Sequence, residues 1–186
     1  MGKMSYHSNN CYRPEICSGI IIDLIQSHGI VVSAGHSNAS YETATQFFDN
    51  NIKVATHLYN AMSALTSREP GMVGVALSDP DSWCGVIFDG HHMHPVAAKV
   101  ALAAKPRGKL MIVTDAMSPV GTDDTEFDFF TGKVIREGSK LTNEAGSLAG
   151  SVLDMAAAVQ YAVQVLAVSP AEALRMASLY PAQFLS

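Results

Sequence analysis

Ile52-Lys53-Val54-Ala55-Thr56 runs into His57, and Leu110-Met111-Ile112-Val113-Thr114 runs into Asp115. Two further runs share the pattern: Ile30-Val31-Val32-Ser33-Ala34-Gly35 ends at His36, and Cys84-Gly85-Val86-Ile87-Phe88 ends at Asp89. Each is short and apolar on both faces rather than alternating, which predicts strands buried on both sides, as in a parallel sheet. Between them lie helical stretches with start signals. Ser40 is placed to cap a helix through Asn50, and Pro95 holds the first helical position of a segment through Ala104. The segment from Ile16 to Gln26 reads as a helix before the first strand. Strands alternating with helices imply parallel βα units.

After Asp115 the pattern changes. Phe127 to Thr142 predicts an antiparallel hairpin insertion with turns near Thr131-Gly132 and Glu137-Gly138. Two helices follow, Val152 to Leu166 and Pro170 to Leu179, the second opened by the capping box Ser169-Pro170-Ala171-Glu172. Polar residues at the C-terminal ends of parallel strands are where open α/β sheets and βα barrels do chemistry. A closed eight-stranded barrel needs about 250 residues. With 186 residues, the expected fold is α/β, a partial (βα) barrel of about four parallel units.

Composition narrows the function classes. The chain is 48% hydrophobic and 16% charged, enough apolar material for one sizeable core. Residues 1–12 read as an N-terminal tail and residues 13–186 as one domain. No run approaches the roughly 18 apolar residues of a membrane span, and no secretory signal opens the chain. Tyr6 stands where myristoylation needs Ser or Thr. A cytoplasmic location is the expectation. Cys11, Cys17 and Cys84 have neither disulfide nor zinc-ribbon spacing, which predicts reduced thiols. The net charge of −5 argues against a nucleic-acid partner, which requires a basic face. An anionic ligand would need a local site set against that field.

His36 and His57 end successive strands, so both imidazoles are expected in one mouth, where they form a candidate ligand pair for a divalent metal ion. Asp115, at the end of the fourth run, is a candidate general base and acid: it can take a proton from an attacking water and return it to a leaving amine. His92, within Asp89-Gly90-His91-His92-Met93-His94, offers a donor to a developing oxyanion, although three histidines so close also suit a surface metal-binding tract. Arg68, in Thr66-Ser67-Arg68-Glu69-Pro70-Gly71, presents a planar fork suited to phosphate, or a solvated ion pair with Glu69. Asn60 is read either as a sugar or phosphate contact or as the holder of its own loop.

Six strings occur in one order: Gly35-His36-Ser37-Asn38-Ala39, Thr56-His57-Leu58-Tyr59-Asn60-Ala61-Met62, Arg68-Glu69-Pro70-Gly71, Asp89-Gly90-His91-His92, Thr114-Asp115-Ala116 and Gly146-Ser147-Leu148-Ala149-Gly150-Ser151. Together they resemble the N-acetylglucosamine-6-phosphate deacetylase family, over about Arg13 to Leu185, in the C-terminal half of its catalytic barrel. The resemblance implies a TIM/amidohydrolase-type barrel that removes acetate from the 2-acetamido group of N-acetylglucosamine 6-phosphate. It implies one divalent metal, zinc first, with iron, cobalt, manganese and nickel as other candidates. His36 and His57 would be its ligands, Asp115 the base and acid, and His92 the polarising group. Asn60, Ala61 and Arg68 would contact the substrate. Asp89, Gly90, His91, His92, Leu148, Ala149 and Gly150 would complete its pocket. The family's further metal ligand, a glutamate in a His-Leu-Glu-Gly-Pro type motif, has no counterpart here, and Glu15 corresponds to a different point of the pattern.

Two other readings stay open at this level: a chain that binds amino-sugar phosphates, or serves as a subunit, without releasing acetate; and a related enzyme for N-acetylgalactosamine 6-phosphate. A half-barrel exposes two sheet edges and an apolar interior face, which predicts a homodimer or larger assembly.

Overall fold

The computed structural model describes residues 10–16, 18–50, 52–129 and 132–186. Its centre is a parallel sheet of five strands, β1 (Asn10–Tyr12), β2 (Val32–Ala34), β3 (Val54–Ala55), β4 (Trp83–Val86) and β5 (Leu110–Ile112), hydrogen-bonded in sequence order. Successive strands are joined by α1 (Gly19–Ser27), α2 (Tyr41–Asp49), α3 (Gly71–Ser78) and α4 (Pro95–Ala104). Strand order that never reverses distinguishes the arc of a βα barrel from a doubly wound sheet. Four strand–helix–strand units are thus present, as the alternation predicts. The sheet begins at Asn10, inside the stretch expected as a tail, because Asn10–Tyr12 pair with Val32–Ala34.

The helix starts are built as the sequence indicates. The Ser40 side chain accepts the Thr43 N–H at the start of α2, and Pro95 opens α4 behind His94. The helices pack on one side of the sheet through Phe47, Phe48, Met72, Ala98 and Ala101, all buried. On the barrel-interior side, the hydroxyls of Ser33 and Thr56 hydrogen-bond to each other.

The segment expected as a hairpin, Phe127 to Thr142, makes the first three strands of a larger sheet. β6 (Glu126–Phe129), β7 (Gly132–Glu137), β8 (Lys140–Asn143) and β9 (Leu148–Ser151) form a four-stranded antiparallel sheet. Its last turn is held by Asn143, whose Oδ1 accepts the N–H groups of Ala145 and Ser147. The sheet is stitched back onto the barrel: Ser151 N–H donates to the Asp115 carbonyl at 2.8 Å, and Met117 N–H donates to the Ser151 carbonyl at 2.9 Å. Three helices close the chain, α5 (Met155–Gln164), α6 (Pro170–Ala177) and α7 (Leu179–Phe184). Among the described residues, no helix is long and apolar enough to cross a membrane.

Of the cysteines, Cys84 is a free, buried thiol that burial pushes up to about 12. The side chains of Cys11 and Cys17 lie outside the described residues.

Candidate active site

His36 and His57 follow β2 and β3 by two residues each, and Asp115 follows β5 by three. All three have left-handed backbones, with φ of 51°, 30° and 52°. Ala61 shares this conformation at φ 49°. An L-residue held there costs about 1–3 kcal/mol and persists only where its surroundings impose it. All four line a single cavity of about 580 Å³ at the C-terminal ends of the strands. Strain concentrated around one cavity is a pattern of functional sites.

The two imidazoles stand edge to face with ring centroids 4.5 Å apart. His36 is exposed to the cavity, whereas His57 is buried, and its Nδ1 has no hydrogen-bond partner within the protein. Burial, reinforced by the neighbouring His36, pushes the His57 imidazole below its ordinary value. It is therefore neutral near pH 7, with a lone pair open to a ligand. A buried polar nitrogen without a partner is rare in a folded protein, and here it fits a metal ligand. The two imidazoles suit a borderline divalent ion. Among the described residues no group of three or more His, Cys, Asp or Glu side chains has metal-holding geometry.

His92 also faces this cavity. Its Nδ1 lies 2.7 Å from Asp89 Oδ2, and both side chains are only 5% exposed. Asp89 Oδ1 accepts the backbone N–H groups of His91 and His92 at 2.8 and 2.9 Å. Asp89 thus stands behind His92, away from the cavity lining. Gly90 packs against the Tyr161 ring, and His91 Nε2 bonds Ser139 Oγ at 2.8 Å, tying this turn to the antiparallel sheet. Asn60 lines the cavity while its amide donates to the carbonyls of His57 and Leu58, so it also holds its own loop.

Leu148, Ala149 and Gly150 form part of the opposite wall. At Gly150, φ is +69°, and a Cβ would meet Met117 Cγ at 2.4 Å, so only glycine lets the wall approach Asp115 this closely. Arg68 is exposed on the loop before α3, away from that lining. Its neighbour Glu69 accepts the N–H groups of Tyr41 and Gly71, and no ion pair joins the two among the described residues. Met117, Phe129, Asn143 and Ser147 line the cavity as well, although sequence reasoning did not single them out.

The amidohydrolase family pattern matches residues 25–186. The chain is 51% identical over 172 residues to an N-acetylgalactosamine-6-phosphate deacetylase of Shewanella sp. (strain ANA-3), covering 92% of this chain and 44% of that protein. It is 41% identical over 160 residues to an N-acetylglucosamine-6-phosphate deacetylase of Haemophilus influenzae, covering 83% and 41%. A crystal structure of N-acetylglucosamine-6-phosphate deacetylase from Pasteurella multocida superposes with a TM-score of 0.91 at 34% identity, over 95% of this chain and 46% of that one. The chain therefore spans less than half the length of these relatives.

Proposed function

We propose, from the premise that this chain belongs to the amidohydrolase family, that its strand-end cavity hydrolyses the 2-acetamido group of a hexosamine 6-phosphate, giving acetate and the free amino sugar phosphate. The observation that carries this reading is the convergence of His36, His57, His92 and Asp115 on one cavity, with His57 Nδ1 buried and unpartnered. Amidohydrolases generally use a divalent metal, and His36 and His57 are the residues here that would hold it, zinc first among the candidates. When bound, such an ion supplies Lewis-acid polarisation of water or of the amide carbonyl. Asp115 takes a proton from water as the new carbon–oxygen bond forms, then gives it to the amine as the carbon–nitrogen bond breaks. His92 donates a hydrogen bond to the carbonyl oxygen, where negative charge gathers. Asn60, Ala61 and the Leu148-Ala149-Gly150 wall bound the sugar.

N-acetylglucosamine 6-phosphate is the substrate implied by the sequence strings. The 51% identity to a protein named for N-acetylgalactosamine 6-phosphate supports the galacto epimer as a second reading. Acetate release from both phosphates, and from unphosphorylated N-acetylglucosamine, in the presence of zinc or ferrous iron tests the proposal. Release is expected from a 6-phosphate and at least about tenfold less from the unphosphorylated sugar; no release from either phosphate contradicts it. The ratio of kcat/KM between epimers decides which is the substrate.

The chain is further proposed to work in the cytoplasm as a homo-oligomer. Ile20 and Leu24 on α1 are 82% and 59% exposed, and β1 is the outermost strand of the sheet among the described residues; such a surface favours association. A stable monomer in size-exclusion chromatography at micromolar concentration contradicts the assembly.

A further inference from the structure

The Asp89 carboxylate divides its two oxygens between two tasks. Oδ1 receives both N–H groups of the turn, from His91 and His92, and that is sufficient to hold the backbone. Oδ2 is not needed for the turn, and it meets His92 Nδ1 at 2.7 Å with both side chains 5% exposed. An ionised carboxylate only accepts hydrogen bonds, so Nδ1 must carry a hydrogen, and Nε2 is the ring nitrogen available to the cavity. Burial acts to raise the Asp89 carboxyl, but the hydrogen bonds from the His92 ring and from the His92 and His91 backbones outweigh it and keep the group ionised. The turn itself is backed by α5: a Cβ at Gly90 would lie 3.2 Å from the Tyr161 hydroxyl, so the Asp89–His92 pair has little room to shift.

We infer that Asp89 is a positioning residue of the proposed hydrolysis: it fixes the His92 ring with hydrogen on Nδ1 and presents Nε2 to the substrate carbonyl. This rests on the deacetylase reading of the cavity. To donate to the carbonyl oxygen, Nε2 must carry its own hydrogen, which makes the ring an imidazolium. The Asp89 charge at 2.7 Å is what offsets that positive charge in a buried place. Asp89 touches neither the substrate nor the reacting atoms, and acts through His92 alone.

Asp89→Asn separates the two tasks. Asparagine keeps an oxygen for the turn, but it places an NH₂ donor against Nδ1, which drives the hydrogen to Nε2 and removes the counter-charge. In protein labelled with ¹⁵N at histidine, long-range proton–nitrogen correlation is expected to find the His92 Nδ1 hydrogen in the unsubstituted chain, and its loss in Asp89→Asn. With N-acetylglucosamine or N-acetylgalactosamine 6-phosphate, kcat is expected to fall about 100-fold while KM stays within about threefold. In a His92→Asn background the same change should cost less than about threefold, because the path through His92 is already gone. A His92 ring with hydrogen on Nε2 alone in the unsubstituted chain overturns the inference, as does kcat retained within about threefold in Asp89→Asn. If the unsubstituted chain releases no acetate, the deacetylase reading fails separately, and the nitrogen assignments still decide what Asp89 does to His92.

Discussion

Asp115→Asn is expected to lower acetate release by about 10³-fold or more, through kcat, with sugar-phosphate affinity nearly unchanged. The substitution preserves size, and asparagine is among the residues that tolerate the left-handed backbone found at φ 52°. The hydrogen bond from Ser151 N–H to the Asp115 carbonyl involves only backbone and survives. In the proposed hydrolysis the substitution removes the capacity to take a proton from water and pass it to the amine, on which both proposed steps depend. An effect confined to kcat identifies an interaction made in the transition state rather than in binding. Steady-state kinetics beside calorimetric titration of the sugar phosphate separates the two. Activity within about tenfold of the unsubstituted chain would move the base elsewhere.

Lys105→Met is expected to destabilise the fold by about 3 kcal/mol or more, a large share of the roughly 5–15 kcal/mol available to a domain. Lys105 is only 5% exposed, and its ammonium donates to three acceptors: the Ala76 carbonyl at 3.0 Å, the Asp79 carbonyl at 2.5 Å and Ser82 Oγ at 2.9 Å. Two of these are backbone oxygens at the C-terminal end of α3, which has no other cation in its last turn. Burial lowers the Lys105 ammonium from its ordinary value, yet all three of its hydrogens are used. Methionine fills a similar volume but removes all three charge-assisted hydrogen bonds, leaving the single Ser82 hydroxyl hydrogen and the weak Cys84 thiol donor to serve the Ala76 and Asp79 carbonyls. Lys109→Met is the matched control: that side chain makes one bond to the Asp81 carbonyl and lies over the Trp83 ring, and its loss should cost about 1 kcal/mol or less. Urea denaturation of both variants measures the difference. Equal midpoints would show that the buried lysine does not anchor α3.

The parallel strands were legible because each is an apolar run closed by a histidine or an aspartate, and the helices with polar starts announced themselves through Ser40, Pro95 and Ser169. The same pattern brings His36, His57 and Asp115 together, since strand-end residues of neighbouring parallel strands share one mouth. α3 was not legible. From Gly71 to Leu77 every residue is buried, so the segment has no polar face to generate a helical period, and it opens on Pro70 without a side-chain cap. The wall formed by Phe129 and Asn143 was missed for a different reason: it comes from a second sheet whose docking depends on a contact between distant segments, the Ser151 bonds to the Asp115 loop, which itself carries Met117. One signal was available, since Asn143-Glu144-Ala145-Gly146 is a turn sequence that extends the expected hairpin by another strand. Lys105 was hidden because a lysine just after a helix ordinarily faces water. The division of labour within Asp89-Gly90-His91-His92 depends on which carboxylate oxygen meets which donor, and no spacing rule encodes that.

The strand-end pair His36 and His57 is proposed as the metal-holding part of an amidohydrolase site. Anomalous diffraction at the zinc edge from crystals of this chain grown with zinc tests it directly. A peak about 2.0–2.1 Å from a ring nitrogen of each histidine is predicted. A zinc peak on the neighbouring His91 and His94 tract, with none between His36 and His57, would contradict it.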